Sequence, residues 1–231
     1  MSVTQQLNSV RAKLRDAEKS SQRSEGSVRL VAVSKTVMSS RILEAIDAGQ
    51  FDFAENYLQE AVEKIRSISD PRVCWHYIGR LQSNKIKRIA ECFSWVHSLS
   101  HGKHVGVLNR NCVEVRRIMN VCVQVNVNNE KSKSGVSVEE VDALVDQVMD
   151  CSNLNFRGLM CIAQKEGDNS CTRGVFEQVA ALHKRLKDRG IPCDTLSMGM
   201  SGDYAQAIAA GSTMIRVGSA IFGPRGKFNA G

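Results

Sequence analysis

The stretch Val28-Arg29-Leu30-Val31-Ala32-Val33-Ser34-Lys35-Thr36 decides the fold, because it opens a series of similar units. Its apolar, β-branched run is typical of a buried parallel strand. An amphipathic segment at residues 39–48 follows it and ends at Gly49, as a helix would. Such strand and helix patterns alternate along the chain, which favours a parallel α/β architecture.

Counting these units gives eight strands. They are predicted at residues 28–33, 51–54, 75–78, 95–98, 121–125, 156–162, 195–198 and 213–217. Helices are predicted at residues 3–20, 39–48, 58–65, 83–92, 104–117, 138–149, 174–187 and 202–210. We therefore expect one α/β domain over residues 1–231, a parallel (β/α)8 TIM barrel with an extra N-terminal helix. A doubly wound open sheet is the alternative, because the sequence does not give the order of the strands.

Composition narrows the class of protein. The net charge of +7 suggests a nucleic-acid partner, but the basic residues are scattered and only 5% of residues are aromatic. We therefore expect no nucleic-acid binding. No apolar run reaches the length of a membrane span, and the N-terminus does not resemble a signal peptide, so we expect a cytoplasmic protein with no membrane partner. Eight cysteines without a CxxC pair favour reduced thiols, and the histidine spacing indicates no metal site.

Lys35 is the strongest candidate for chemistry. It comes directly after the first apolar strand, where a buried ammonium is costly unless it is paired or its pKa falls. The position suits an amine that forms a Schiff base with an aldehyde. The alternative is a lysine whose stem lies along the strand while its head reaches water.

Other polar residues also occur at or near the ends of predicted strands. Asn56 follows the second strand, His76 lies within the third and Asn126 follows the fifth. In a barrel, the carboxyl ends of all the strands meet at one mouth, where functional sites are built. We therefore expect these residues to share one site with Lys35.

Two segments have the features of phosphate-binding loops. The first, Ser197-Met198-Gly199-Met200-Ser201-Gly202-Asp203, has glycines that let the backbone approach an anion and a Ser201 hydroxyl that can donate to it. A helix cap is the alternative role for Ser201. The second segment follows the eighth strand and offers the amides of Gly218 and Ser219. Loops after strands seven and eight bind phosphate in many barrels.

A reactive lysine opposite a phosphate site matches pyridoxal 5′-phosphate (PLP), which has an aldehyde, a phosphate and a ring nitrogen. Arg216, at the eighth strand, is the candidate partner for the ring nitrogen, since a fixed cation keeps that nitrogen unprotonated. A structural ion pair with a carboxylate is the alternative role for this arginine.

The chain resembles the pyridoxal phosphate homeostasis proteins over nearly its whole length. The motifs that carry the resemblance are Val31-Ala32-Val33-Ser34-Lys35-Thr36, Phe53-Ala54-Glu55-Asn56-Tyr57, Trp75-His76-Tyr77-Ile78-Gly79-Arg80, Lys131-Ser132-Lys133-Ser134-Gly135, Arg157-Gly158-Leu159-Met160, Ser197-Met198-Gly199-Met200-Ser201 and Arg216-Val217-Gly218. The barrel domain of alanine racemases is a more distant likeness. Two residues depart from the family pattern, which often has glycine at the position of Ala54 and proline at that of Arg80.

The resemblance implies that Lys35 holds PLP as an aldimine. It also implies that Ser201, Gly218 and their neighbours bind the phosphate, that Arg216 faces the ring nitrogen, and that Asn56 and His76 line the pocket. The full set of expected cofactor-binding residues is Lys35, Asn56, His76, Ser197, Ser201, Gly202, Arg216, Gly218 and Ser219, with no catalytic residue.

Relatives of this kind buffer and deliver the cofactor without an assigned turnover. We therefore expect a non-enzymatic, monomeric carrier of PLP that passes it to apo-enzymes. An amino-acid racemase is the first alternative, although racemases of this fold take a second base, a tyrosine, from an additional β domain for which we expect no residues here. An interaction module that uses the barrel only as a scaffold is the second alternative. Lys133, with Lys131 nearby, is a candidate secondary contact during transfer.

Overall fold

A computed structural model describes residues 1–128, 134–163 and 169–223 and shows a closed barrel of parallel strands. The strands are β1 (Arg29–Val33), β2 (Asp52–Glu55), β3 (Cys74–Tyr77), β4 (Trp95–Leu99), β5 (Met119–Gln124), β6 (Leu154–Met160), β7 (Thr195–Ser197) and β8 (Met214–Val217). The helices are α1 (Val3–Ser20), α2 (Ser39–Asp47), α3 (Leu58–Ser67), α4 (Ile86–Cys92, after a 3₁₀ turn at Ser83–Lys85), α5 (Gly102–Glu114), α6 (Val141–Met149), α7 (Asn169–Asp188), α8 (Tyr204–Ala209) and α9 (Ser219–Phe222). The predicted (β/α)8 barrel with an N-terminal helix is confirmed.

Pairing between the first and last strands closes the barrel. Arg29 lies opposite Met214, and Val31 lies opposite Arg216, in a parallel register. This contact excludes the open doubly wound sheet. It also places the end of β8, which carries Arg216, directly beside the end of β1, which leads into Lys35.

Side-chain alternation along the strands divides the core into two layers. Residues such as Leu30, Ala32 and Phe53 point outward and join the helices in one large apolar cluster. The inward residues Val31, Ala54, Trp95, Cys122, Met160 and Met214 form a second, smaller cluster inside the barrel. Because successive residues of a strand face opposite sides, only the inward-facing residues nearest the mouth can reach a ligand bound there.

Several helix boundaries differ from the prediction. Helix α7 begins at Asn169 and not at residue 174, because the polar run at its start lacks the apolar periodicity that marks a helix. Helix α8 begins at Tyr204, and Asp203 is its N-cap residue, so Gly202 lies in the preceding turn. Helix α9 was not predicted, since its four residues are too few to show a helical period.

Within the described ranges, no helix combines the length and apolarity that crossing a membrane requires. All seven cysteines whose side chains are described are free thiols. Burial raises the pKa of the Cys122 and Cys161 thiols to about 12, so both remain protonated.

Gly158 is a position where the barrel wall requires a glycine. Its φ angle is +145°, and a Cβ added there would lie 1.9 Å from the carbonyl oxygen of Thr195 on β7. We expect Gly158→Ala to lower the free energy of unfolding by more than about 2 kcal/mol, because both the backbone angle and the strand pairing become strained. Urea denaturation followed by circular dichroism measures this loss.

Gly174→Ala is the matched control for this substitution. Gly174 lies within α7, and a Cβ added there would meet nothing within 4 Å. Alanine is favoured over glycine in a helix by roughly 0.5–1 kcal/mol, so this variant is expected to be at least as stable as the parent. Equal stability of the two variants would contradict the role assigned to Gly158.

Candidate functional site

The mouth of the barrel, at the carboxyl ends of the strands, collects most of the polar residues predicted from the sequence. Lys35 is half-buried two residues beyond β1, and Asn56 is half-buried directly after β2. Ser201 lies in the loop after β7, and Ser219 is exposed at the start of α9. Because β7, β8, β1 and β2 are consecutive neighbours in the closed barrel, these residues lie around one side of the mouth.

A cleft of about 310 Å³ opens at the same mouth and extends from Asn56 to the ends of β3, β5 and β6. Its lining residues are Asn56, Ile78, Arg80, Gln124, Val125, Asn126, Val127, Asn128, Ser134, Ile162, Ala163 and Val175. Asn56 and Asn126 were expected in the site, whereas Gln124 and Ser134 were not singled out. The Gln124 side chain donates a hydrogen bond to the Ser134 carbonyl (2.8 Å) and thereby holds the loop after β5 against the cleft. Lys131 and Lys133 lie outside the described residues.

The backbone on both sides of Lys35 is held by charged residues of β2 and α3. Lys64 donates to the Ser34 carbonyl (2.6 Å), and the Ser34 hydroxyl donates to Glu55 Oε1 (2.6 Å). On the other side, the Thr36 amide donates to Glu60 Oε1 (2.6 Å). Thr36 has a φ of +62°, which is unfavourable for a β-branched residue and therefore requires such support.

Lys64 joins these contacts into one buried ionic cluster. Its ammonium is 2.9 Å from Glu55 Oε1 and also contacts Glu60 Oε1, and the side chain is only 7% exposed. Burial raises the pKa of Glu55, while the charge of Lys64 and the Ser34 hydrogen bond oppose that rise. The second carboxylate oxygen of Glu55 is buried without a hydrogen-bond partner among the described residues. The cluster therefore fixes the position from which Lys35 projects.

The two predicted phosphate-type loops meet at the mouth. The Ser219 hydroxyl donates to the Ser201 hydroxyl over 3.3 Å. A Cβ added at Gly218 would lie 3.1 Å from the carbonyl oxygen of Val33, so the backbone of this loop approaches the end of β1 closely. Ser201 is not the N-cap residue of α8, because Asp203 occupies that position; the Asp203 carboxylate accepts from the Met200 amide (2.5 Å) in the preceding loop.

Arg216 lies beneath these loops and is almost fully buried. Its Nη1 donates to the carbonyl and to the hydroxyl of Ser197 (both 2.6 Å), and its Nη2 donates to the Cys161 carbonyl (2.9 Å). Burial lowers its pKa, yet arginine stays charged in proteins. Within the described residues its guanidinium forms no ion pair, so the structural ion pair considered from the sequence is not what holds it.

His76 and Ser197 lie deeper than the sequence suggested. Both are fully buried, and His76 is hydrogen bonded to Asp52 and to His97. His97 in turn is hydrogen bonded to Ser197. These residues therefore occupy the barrel interior below the mouth, and direct contact of His76 with a cofactor stays a prediction.

Asp52, Cys74 and His76 bring three potential metal-binding atoms within 4.8 Å of one another at the opposite, amino ends of the strands. The Arg29 guanidinium lies 3.7 Å from the Asp52 carboxylate and already supplies a cation there. A nearby positive charge disfavours a bound metal ion, and we assign none to this group.

Comparison with known proteins defines first the class and then the family. The family model of the alanine racemase N-terminal domain matches residues 6–226. A solved alanine racemase from Clostridium difficile has the same fold, with a TM-score of 0.74 and 13% identity over 93% of this chain and 56% of the racemase. The chain is thus an alanine-racemase-type barrel.

More similar relatives identify the family. A pyridoxal phosphate homeostasis protein of Escherichia coli is 43% identical over 226 residues, which cover 96% of this chain and 97% of that protein. One from Vibrio alginolyticus is 42% identical over 228 residues, which cover 97% and 98%. PipY of Synechococcus elongatus, solved with PLP bound, is 33% identical with a TM-score of 0.86, over 96% of this chain and all of that one. The chain belongs to the pyridoxal phosphate homeostasis protein family.

Proposed function

We propose that this protein binds PLP at the mouth of the barrel, covalently through Lys35, and buffers and delivers it within the cell. One observation carries the proposal. A lysine that follows β1 shares the mouth with the paired hydroxyls of Ser201 and Ser219, which come from the neighbouring β7 and β8 loops and lie 3.3 Å apart. The names of the homologues and the PLP bound to PipY support the same assignment.

The residues present suit the three reactive parts of PLP. Lys35 supplies the amine for the aldehyde, and Ser201 and Ser219 supply hydroxyl donors for the phosphate. Gly202 adds backbone that a phosphate can approach, since a Cβ added there would meet nothing within 4 Å. Gly218 offers its backbone beside Val33, where the close approach leaves little room for a side chain. When bound, PLP would contribute the aldehyde chemistry that the twenty amino acids lack.

Arg216 is the proposed partner of the ring nitrogen. Its buried guanidinium forms no direct ion pair with a carboxylate of the described residues, so its positive charge can act on a ligand. A fixed cation at that place disfavours protonation of the ring nitrogen. We further propose that Asn56 contacts the cofactor from the cleft side, and that Ser197 and His76 act beneath it.

A non-enzymatic role fits the geometry better than turnover does. We propose that the chain acts as one domain and as a monomer in the cytoplasm, and that it passes PLP to apo-enzymes that require it. The racemase alternative draws its support from the alanine racemase family match. A racemase needs a tyrosine base. The Tyr77 hydroxyl, however, donates a hydrogen bond to the Arg80 carbonyl (3.3 Å), and Tyr57 is exposed to solvent.

A transfer experiment tests the carrier role. Protein loaded with PLP and freed of excess cofactor is mixed with an apo-transaminase in the presence of a phosphatase that destroys free PLP. We expect transaminase activity to return, whereas an equal amount of free PLP restores much less because the phosphatase removes it. Equal loss of recovery in both reactions would mean simple release into solution and would contradict delivery.

Solvent exchange distinguishes the racemase. Loaded protein is incubated with L-alanine or L-serine in D₂O, and deuterium at Cα is measured by mass spectrometry. We expect no incorporation beyond that caused by free PLP. Exchange that exceeds this background, and that disappears in Tyr57→Phe or Tyr204→Phe, would establish the racemase instead.

A further inference from the structure

A chain of hydrogen bonds crosses the barrel interior from Arg216 to the opposite mouth. Arg216 Nη1 lies 2.6 Å from Ser197 Oγ, which lies 2.8 Å from His97 Nδ1. His97 Nε2 lies 2.9 Å from His76 Nδ1, and His76 Nε2 lies 2.9 Å from Asp52 Oδ1. Ser197, His97 and His76 are completely buried, so water does not compete for their hydrogen-bonding groups.

When both rings are neutral, the direction of every bond in this chain follows from its two ends. A guanidinium can only donate, so Ser197 Oγ accepts from Arg216 and is free to donate its own proton to His97 Nδ1. A carboxylate can only accept, so His76 must carry its proton on Nε2 and must accept at Nδ1. His97 Nε2–H is then the donor to His76. Neutral rings in this chain are therefore both protonated at Nε2.

Protonation of His76 would reverse the chain. Its Nδ1–H would donate to His97 Nε2 over the same 2.9 Å, and His97 would then donate from Nδ1 to Ser197 Oγ. Burial lowers the pKa of both histidines, and the nearby charge of Arg216 lowers that of His97 further. Around the far end, Arg29 and Cys74 are the other titratable groups that face Asp52 and His76, and Trp95 stacks on His76. The rings are therefore held neutral between a fixed cation and an anion.

We propose that Asp52, His76 and His97 are positioning residues for Arg216, which orient its guanidinium beneath the cofactor and link it to the opposite face of the barrel. The part of this inference that concerns cofactor binding rests on the proposed function. Asp52 fixes the tautomers of both neutral histidines, so the Ser197 hydroxyl donates its proton to His97 and keeps its oxygen lone pairs for Arg216. The Asp52 side chain is 24% exposed, so a change at that surface reaches the floor of the cofactor site.

Asp52→Asn tests this chain with little change in shape. The amide can donate to His76 Nε2, which releases both rings to adopt the Nδ1–H tautomer. Asp194→Asn is the matched control, because Asp194 also lies at the amino ends of the strands but pairs with Arg157 and not with the chain. The imidazole ¹⁵N NMR signals of His76 and His97 are recorded in both variants and in the parent, all without PLP.

We expect the Nε2–H tautomer at both histidines in the parent and in Asp194→Asn, and a changed tautomer in Asp52→Asn. Binding of PLP to Asp52→Asn should be weaker by on the order of tenfold, with a shifted visible absorption band, as for other residues that orient a site from behind. A parent protein with Nδ1–H or charged rings, or unchanged tautomers in Asp52→Asn, would overturn the chain.

Changed tautomers with parental PLP affinity and an unshifted absorption band would overturn the positioning role. The hydrogen-bond chain would then have no effect on how Arg216 acts on the cofactor. Failure of the parent to bind PLP at all would contradict both the proposed function and the part of the inference that concerns cofactor binding. The NMR measurement would still decide the hydrogen-bond chain in that case, since it uses no cofactor.

Discussion

Lys35→Ala is expected to abolish the visible absorbance that PLP gives when it is bound covalently to this protein. Without the amine, no bond forms to the cofactor aldehyde, and only the proposed contacts of Arg216, Ser201 and Ser219 with the ring and the phosphate remain. We therefore expect the affinity for PLP to fall roughly a hundredfold, about 2.7 kcal/mol, and not to disappear.

Absorbance titration and borohydride trapping measure this effect. In the parent, reduction with borohydride followed by peptide mass spectrometry should place the label on Lys35. Lys13→Ala, which removes an exposed lysine from α1, is the matched control and should be labelled like the parent. Label on another lysine in the parent, or visible absorbance that survives in Lys35→Ala, would refute the assignment.

The fold was predictable because each strand and helix carries its own signal. An apolar run followed by an amphipathic segment marks a unit without reference to the rest of the chain, and eight such units close a barrel. Closure itself depends on the register of β1 against β8, which pairs residues that are 185 positions apart, such as Val31 and Arg216, and no local pattern contains it.

The candidate site also contains residues that the local sequence reveals and residues that only the tertiary structure reveals. Lys35, Ser201 and Arg216 were found because each follows or ends an apolar strand, where the sequence makes a polar residue conspicuous. Lys64 was missed, since a lysine four residues after Glu60 on a helix looks like an ordinary surface pair. Its burial comes from Ser34, which is 30 residues away in the sequence.

His97 was missed for a similar reason, although one signal was available. It lies two residues after Trp95 on β4, and alternation places both inside the barrel. Its partner Ser197 is 100 residues away, so the hydrogen bond between them exists only once the barrel has closed. The polar interior of the barrel is therefore a property of the tertiary structure, whereas the residues at its rim can be identified from local sequence.

Lys64→Met is expected to cause the largest loss of stability among the substitutions considered. It removes the ammonium that Glu55 and Glu60 share and leaves the buried Glu55 carboxylate and the partly buried Glu60 carboxylate without a counter-charge. Removing one partner of a buried ionic group typically costs about 3–5 kcal/mol. Lys184→Met is the matched control, because Lys184 and Asp188 also lie four residues apart on a helix but are exposed, and such pairs contribute at most about 1 kcal/mol.

The pH dependence of this loss separates a charge effect from a packing effect. Burial already raises the pKa of Glu55, and Lys64 is the main group that opposes the rise, so the pKa of Glu55 should increase further in Lys64→Met. A raised pKa in the folded state means that the folded protein binds the proton more tightly, and stability then falls as pH rises through that pKa.

The difference in unfolding free energy between Lys64→Met and the parent should therefore shrink when urea denaturation is carried out at about pH 5 instead of about pH 8. A difference that does not change with pH would indicate lost packing of the lysine stem. Since the cluster also holds Ser34 and Thr36, the variant should bind PLP more weakly even under conditions where it is fully folded.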